Sequence, residues 1–158
     1  MSEEKAGQHA VTLTWNRGEQ PFDYKTFDRT HFIDYDHGVR VLASSTNKFY
    51  GDDRLLNPDV ALVGALSSCF MLTFVAIAAL KKCVVNEYTD KATGEMGQNE
   101  EGKTWVSRIE LNPVVVFEKD SKPSEELFQQ MVAKAHTGCF IANSVKSSVE
   151  IQPTALSF

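Results

Sequence analysis

Positive charge is in short supply in this chain. Sixteen lysines and arginines stand against 21 aspartates and glutamates, a net charge of -5 with a pI of about 5.4. A nucleic-acid partner usually needs a basic face, so that class of function is set aside. Cysteine is scarce as well. Three in 158 residues, an odd number without dense spacing, exclude a secreted disulfide scaffold. There is no CxxC and no HExxH, the compact patterns that announce a zinc site or a dithiol motif. Repeats and low-complexity stretches are missing too. The opening "MSEEKAGQHA" lacks the charged-then-apolar pattern of a secretion signal. Together these absences predict a cytoplasmic protein, where a cysteine pair is more readily redox-active than structural.

What is present suits one domain, 1–158, with a substantial core: 42% of residues are hydrophobic and 23% charged. One run stands out. Val60 to Leu80 carries no charge for 21 residues, long enough to span a bilayer. It contains Gly64, Ser67, Ser68 and Thr73, however, and it is the only such run. Amphipathic strands elsewhere need an apolar partner to pack on. The run is therefore expected to be a buried central helix and not a membrane span.

Alternation of apolar and polar residues predicts strands at 9–15, 29–36 and 39–45, with a turn at His37–Gly38. Residues 47–56 read as a polar loop. Asn57, Pro58 and Asp59 form a helix start: a cap, a proline in the first turn and an acid at the positive dipole end. That helix should run to Lys81 and Lys82. Strands are expected over 83–92 and 104–119, around a polar loop "TGEMGQNEEGK". Ser124, Glu125 and Glu126 open a second helix, 124–136, with Leu127, Met131 and Ala135 on one face. A short helix after Cys139 and a last strand at 148–153 complete an α+β chain. The first long helix is too apolar to be covered on one side only, so a dimer burying it from both sides is expected.

The cysteines pose the chemical question. A thiol with an ordinary pKa near 8.5 is a weak nucleophile at neutral pH, and a cation or a helix N-terminus activates it. Cys69 lies mid-helix, where the dipole helps little and Ser67, Ser68 and Phe70 bring no charge. On these residues alone it reads first as an inert small hydrophobe, with a thiol awaiting an imported cation as the other reading. Cys139 follows Gly138, a helix break, and is expected to begin the next helix, where a thiolate is favoured. Cys83 reads as buried filler. His136 and Cys139, spaced i, i+3, are able to share a ligand face, with Cys69 and His31 as further donors, but no metal motif supports such a site.

The block "NPDVALVGALSSCF" (57–70), followed far downstream by "HTGCFIANSV" (136–145), resembles the osmotically inducible protein C and organic hydroperoxide resistance family. That family has Asn-Pro-Glu, a run of apolar and small residues, then a cysteine followed by an aromatic; a second cysteine follows further on. The resemblance implies an OsmC-like α+β fold, with antiparallel sheets packed on a long buried central helix, as an intertwined homodimer. It implies a thiol peroxidase that reduces organic hydroperoxides, with Cys69 attacking and Cys139 resolving through a Cys69–Cys139 disulfide. An arginine of the N-terminal hairpin, here Arg29, would hold the thiolate, with Asp59 in place of the family's glutamate. Arg54 is the rival cation, otherwise a solvated loop charge. Asp59 is one methylene shorter than glutamate, and Phe140 stands where a proline is common. A dithiol of lipoyl type would be the reductant, and the chemistry needs no metal, flavin or haem. The alternative is a non-enzymatic module of the same fold that binds an apolar ligand, a stress protein with incidental cysteines.

Overall fold

The computed structural model describes residues 7–158, so most of the acidic opening read as lacking a leader lies outside the described residues. These residues form two compact units, divided after Ala61: 7–61 and 62–158.

The first unit is built on an antiparallel sheet in the order β1 (Val11–Thr14), β2 (His31–Tyr35), β3 (Arg40–Ala43). All three strands are where alternation predicts them. The β2–β3 hairpin turns at His37 and Gly38, whose φ values of 67° and 87° are both in the left-handed region. Gly38 meets that requirement at no steric cost, and the Tyr35 N–H closes the turn on the Val39 carbonyl at 2.8 Å. The loop after β3 returns to the sheet, with the Ser44 N–H on the Leu56 carbonyl at 2.8 Å. Gly51 permits this return, since a Cβ there would stand 2.0 Å from the Ser45 carbonyl oxygen.

Helix α1 (Pro58–Leu80) starts where the cap signal places it, with the Val60 N–H donating to Asn57 Oδ1 at 3.0 Å. Its first turn closes the first unit, and the rest belongs to the second. There Leu66, Phe70, Phe74 and Ala78 form one buried stripe. The opposite side is open: Leu72 and Leu80 are 63% and 84% exposed. The expectation of a wholly buried helix is thus met along one face only. By length and composition α1 also suffices to cross a membrane.

The second unit carries two sheets, β4 (Val85–Asp90), β7 (Pro113–Phe117), β9 (Thr154–Ser157) and β5 (Thr93–Gln98), β6 (Thr104–Leu111), β8 (Ser148–Ile151), in those orders. Each chain passage at 91–92, 112 and 152–153 carries the backbone from one sheet to the other, so the two share one strand order. Asn112 makes one corner, its N–H on Asp90 Oδ1 at 2.7 Å.

Several expectations need correction here. The sheets of this unit are mixed and not antiparallel throughout: β6–β8 and β7–β9 are parallel. The loop "TGEMGQNEEGK" begins with strand β5. Its two glycines are there for closeness, because a Cβ at Gly94 or Gly97 would come within 2.6 Å of Val63 Cγ2 or Ser107 Oγ. Pro153 does not end the last strand but separates β8 from an additional one, β9.

Helix α2 (Glu125–Gly138) is capped by Ser124, whose side chain accepts the Leu127 N–H. It lays Phe128, Met131, Val132 and Ala135 into the core. These pack with the α1 stripe and with Ile109, Leu111, Val115 and Phe117 of the sheets. Phe74 is a hub, with ring centroids 6.3, 6.2 and 5.9 Å from Phe70, Tyr88 and Phe128.

Candidate active site

Cys69 lies in the middle of α1, one position from the buried stripe, and is partly exposed. Cys139 is the C-cap of α2 and fully buried. Both are free thiols, and the fold brings their side chains into hydrogen-bonding reach of each other. Two contacts fix this approach. Thr73 hydroxyl donates to the Cys69 carbonyl at 2.9 Å, and its methyl would be 3.3 Å from a Cβ at Gly138. Glycine at 138 thus lets the end of α2 come close to α1 just before Cys139.

Cys139 does not begin a helix. Its φ of -75° and ψ of 112° are extended, and one turn of 3₁₀ helix starts only at Ala142. Gly138 ends α2, and a single helical bond, the Asn143 N–H on the Cys139 carbonyl at 3.1 Å, links Cys139 to that turn. The Cys139 thiol is accordingly not activated: burial pushes it up, offset in part by the Ala142 N–H, which points at its sulfur at 3.4 Å.

Cys69 behaves in the opposite sense. Burial again raises its thiol, but the N–H of Ile141, the Cys139 thiol, the N–H of Phe140 and the Thr73 hydroxyl together outweigh it and hold the thiol below its ordinary value. Two of these four donors are main-chain groups, which no residue type in the sequence announces.

Arg29 lies in the first unit, half-buried against aromatic rings. Its guanidinium carbon is 3.8 Å from the centroid of Phe27, 5.3 Å from Tyr50 and 5.7 Å from Tyr24. It donates to the Phe27 carbonyl at 2.6 Å and to the Tyr24 carbonyl. Among the described residues it makes no ion pair, with Asp59 or any other carboxylate. Asp59 itself is exposed in the first turn of α1. Arg54 pairs with Asp52 at 2.6 Å and is 88% exposed, the solvated loop charge it resembles in the sequence. Beside Arg29 the first unit holds a cavity of about 430 Å³ walled by Leu13, Trp15, Phe22 and Phe27, which sequence reading missed because these aromatics are scattered through an irregular segment. Cys83 is buried, its thiol 3.7 Å from the Lys81 carbonyl. Among the described residues no three His, Cys, Asp or Glu side chains gather as metal ligands.

Comparisons with known proteins bear on the family and the fold. Residues 51–154 match the family described as OsmC-like protein. The chain belongs to the OsmC-like protein family. A solved OsmC-like protein of unknown function from Vibrio cholerae is 38% identical to it, with a TM-score of 0.89 over 92% of this chain and 98% of that one. An organic hydroperoxide resistance protein from Elizabethkingia anophelis shares the fold at 20% identity, TM-score 0.70, over 98% of this chain and 99% of that one. The organic hydroperoxide resistance protein OhrB of Bacillus subtilis does so at 18% identity, TM-score 0.59, over 94% and 97%. No curated protein sequence matches the chain. The OsmC-like fold is thus common to proteins named for hydroperoxide resistance and to one of unknown function.

Proposed function

We propose that this OsmC-like protein is a thiol-dependent peroxidase that reduces organic hydroperoxides to alcohols. What supports the reading above all is the pairing of two free thiols in one unit, one activated and the other not. A peroxidatic thiol must be ionised to attack, whereas a resolving thiol needs only to be near. Cys69 and Cys139 have those respective properties.

The Cys69 thiolate attacks the distal oxygen of the hydroperoxide. An S–O bond forms, the O–O bond breaks, and the alkoxide takes a proton and leaves as the alcohol. The sulfur is oxidised to a sulfenic acid. The Cys139 thiol then attacks that sulfur. An S–S bond forms, the S–O bond breaks, and the hydroxide departs with the thiol proton as water. A dithiol, of lipoyl type by the family resemblance, reduces the disulfide and is itself oxidised to one. Arg29 is assigned to the charge that develops as the O–O bond breaks, with Asp59 as its carboxylate partner. Phe70, expected to share in substrate selection, is buried in the core, so the exposed Leu72 is the apolar residue near Cys69 assigned to favouring bulky, apolar peroxides.

The same reading includes assembly and place. The matched residues 51–154 run through both units, which favours a single domain over 1–158. The open apolar side of α1 is assigned to a second copy in a cytoplasmic homodimer and not to lipid, since Ser67 on this helix is tied to Asp90 at 2.5 Å within the protein. Light scattering at micromolar concentration should give twice the chain mass, and a monomer would remove the dimer from the proposal.

A specific feature favours a second reading. The aromatic cavity beside Arg29 suits an apolar ligand whether or not the thiols react. Thiol titration before and after one equivalent of cumene hydroperoxide separates the two. Loss of two thiols per chain supports the peroxidase; no loss supports the binding module.

A further inference from the structure

A glycine at the end of a helix commonly serves a left-handed φ. Gly138, the last residue of α2, does not, for its φ lies outside that region. What the missing side chain provides is room. Outside its own stretch of chain, a Cβ at 138 would meet a single atom among the described residues, the Thr73 methyl at 3.3 Å. Apolar carbons ordinarily pack at about 3.5–4.0 Å. The methyl has a fixed direction, because the Thr73 hydroxyl donates to the Cys69 carbonyl at 2.9 Å. Thr73 stands one turn beyond Cys69 on the same face of α1, and Gly138 immediately precedes Cys139. Both cysteines pack into the same core cluster. The chain after Cys139 is tied down as well. The Ala142 N–H points at the Cys139 sulfur at 3.4 Å, and the Asn143 side chain donates to the Thr137 carbonyl at 2.9 Å.

We propose that the contact of Gly138 with Thr73 sets the separation of the two sulfurs, so that Gly138 and Thr73 are positioning residues for disulfide formation and not for attack on peroxide. This deepens the peroxidase reading and rests on it. A disulfide tolerates little error in placement, since its sulfurs must come to about 2.05 Å with a restricted dihedral angle. A side chain at 138 pushes the end of α2 away from Thr73, and Cys139 moves with it. Cys69, in the middle of α1, stays in place. The sulfenic acid on Cys69 then has two fates. The Cys139 thiol closes the S–S bond and water departs, or a second hydroperoxide adds an oxygen to the sulfur and leaves as the alcohol. The contact decides between them. Closed, it favours the disulfide, which a dithiol reverses; opened, it favours the sulfinic acid, which thiols do not reverse.

Placement is tested apart from stability and from peroxide chemistry. Reduced full-length protein is equilibrated with a glutathione redox buffer. The two thiols and oxidised glutathione give the protein disulfide and two reduced glutathiones, and peptide mass spectrometry quantifies the Cys69–Cys139 bond. Gly138→Ala should weaken that equilibrium about threefold and Gly138→Val about tenfold, the latter about 30 mV. Gly138→Ala should nonetheless resist urea at least as well as the parent when reduced, because alanine favours a helix over glycine. Removing the methyl that the new side chain meets should undo the effect. Gly138→Ala with Thr73→Ser, which keeps the hydroxyl, should return to within about twofold of the parent. Under excess cumene hydroperoxide, Gly138→Val should keep the parent's rate of first oxidation and accumulate about tenfold more sulfinic acid. Gly138→Ala carries the test if the valine variant does not fold. Unchanged equilibria in the folded variants, no return with Thr73→Ser, or a first oxidation slowed as much as the disulfide overturn the inference. Cumene hydroperoxide consumption by the parent is read separately. Consumption with unmoved equilibria sinks the positioning contact alone; shifted equilibria without consumption sink the peroxidase reading and leave the contact standing. A parent that forms no disulfide in the buffer sinks both.

Discussion

Replacing Cys139 by serine separates attack from resolution, and its size is calculable from the site. Cys139 is fully buried, and its sulfur accepts from the Ala142 N–H at 3.4 Å. A serine hydroxyl keeps an acceptor for that amide but brings a polar group into apolar surroundings. The cost is about 1–3 kcal/mol, which at a urea dependence of about 2 kcal/mol per molar lowers the unfolding midpoint by roughly 1 M. The variant should therefore fold. The attacking thiol and its place on α1 are untouched, so the first turnover with cumene hydroperoxide should proceed within about threefold of the parent rate, a difference under 1 kcal/mol. The end products should differ sharply. The parent has three thiols and should retain one, Cys83, after forming the disulfide. In Cys139→Ser the sulfenic acid has no partner and climbs to sulfinic acid under excess peroxide, adding two oxygens, about 32 Da. Intact mass and thiol titration read both. Cys69→Ser should consume no peroxide, and Cys83→Ser should match the parent. If Cys139→Ser loses the first turnover while Cys69→Ser keeps it, the two roles are reversed. If both serine variants remain active, neither cysteine is the nucleophile.

Arg29→Ala should lower kcat/KM for cumene hydroperoxide by about tenfold or more, the scale of one lost charge-stabilising contact. Arg29→Lys should recover little of it, because lysine cannot both stack on Phe27 and donate to two carbonyls; an unchanged rate in either variant removes Arg29 from the mechanism. Phe74→Ala should destabilise the protein by about 3–5 kcal/mol, the usual cost of a buried phenylalanine, since three aromatic neighbours lose their common partner; a urea midpoint shift below about 0.5 M would contradict the core described above. Arg54 holds the Asp52 carboxyl at about 2, below its ordinary 3.8. The folded value is the lower one, so the pair's contribution is complete above about pH 4 and lost as pH falls towards 2. Urea midpoints of Arg54→Ala and the parent should converge across that window; a constant gap would show that the pair is not made in solution.

The sequence made some of this legible and hid the rest for physical reasons. Strands β2 and β3 are partly covered at some positions and open at others, whereas β1 alternates in sequence but is exposed throughout; Asn57 and Ser124 announce helices because each side chain meets a free N–H. Cys69 and Cys139 stood out through the family resemblance, and their approach depends on Gly138 admitting Thr73, a tertiary fact with no local signature. Strand β5 escaped notice because glycine commonly marks a turn, whereas Gly94 and Gly97 serve the close passage of Val63 and Ser107. The thiolate's surroundings were hidden more deeply. A search for activating residues looks for side-chain cations and settles on Arg29 or Arg54. Main-chain amides, which every non-proline residue has and no residue type reveals, lower the Cys69 thiol alongside the Cys139 thiol and the Thr73 hydroxyl, so the sequence names only part of that environment.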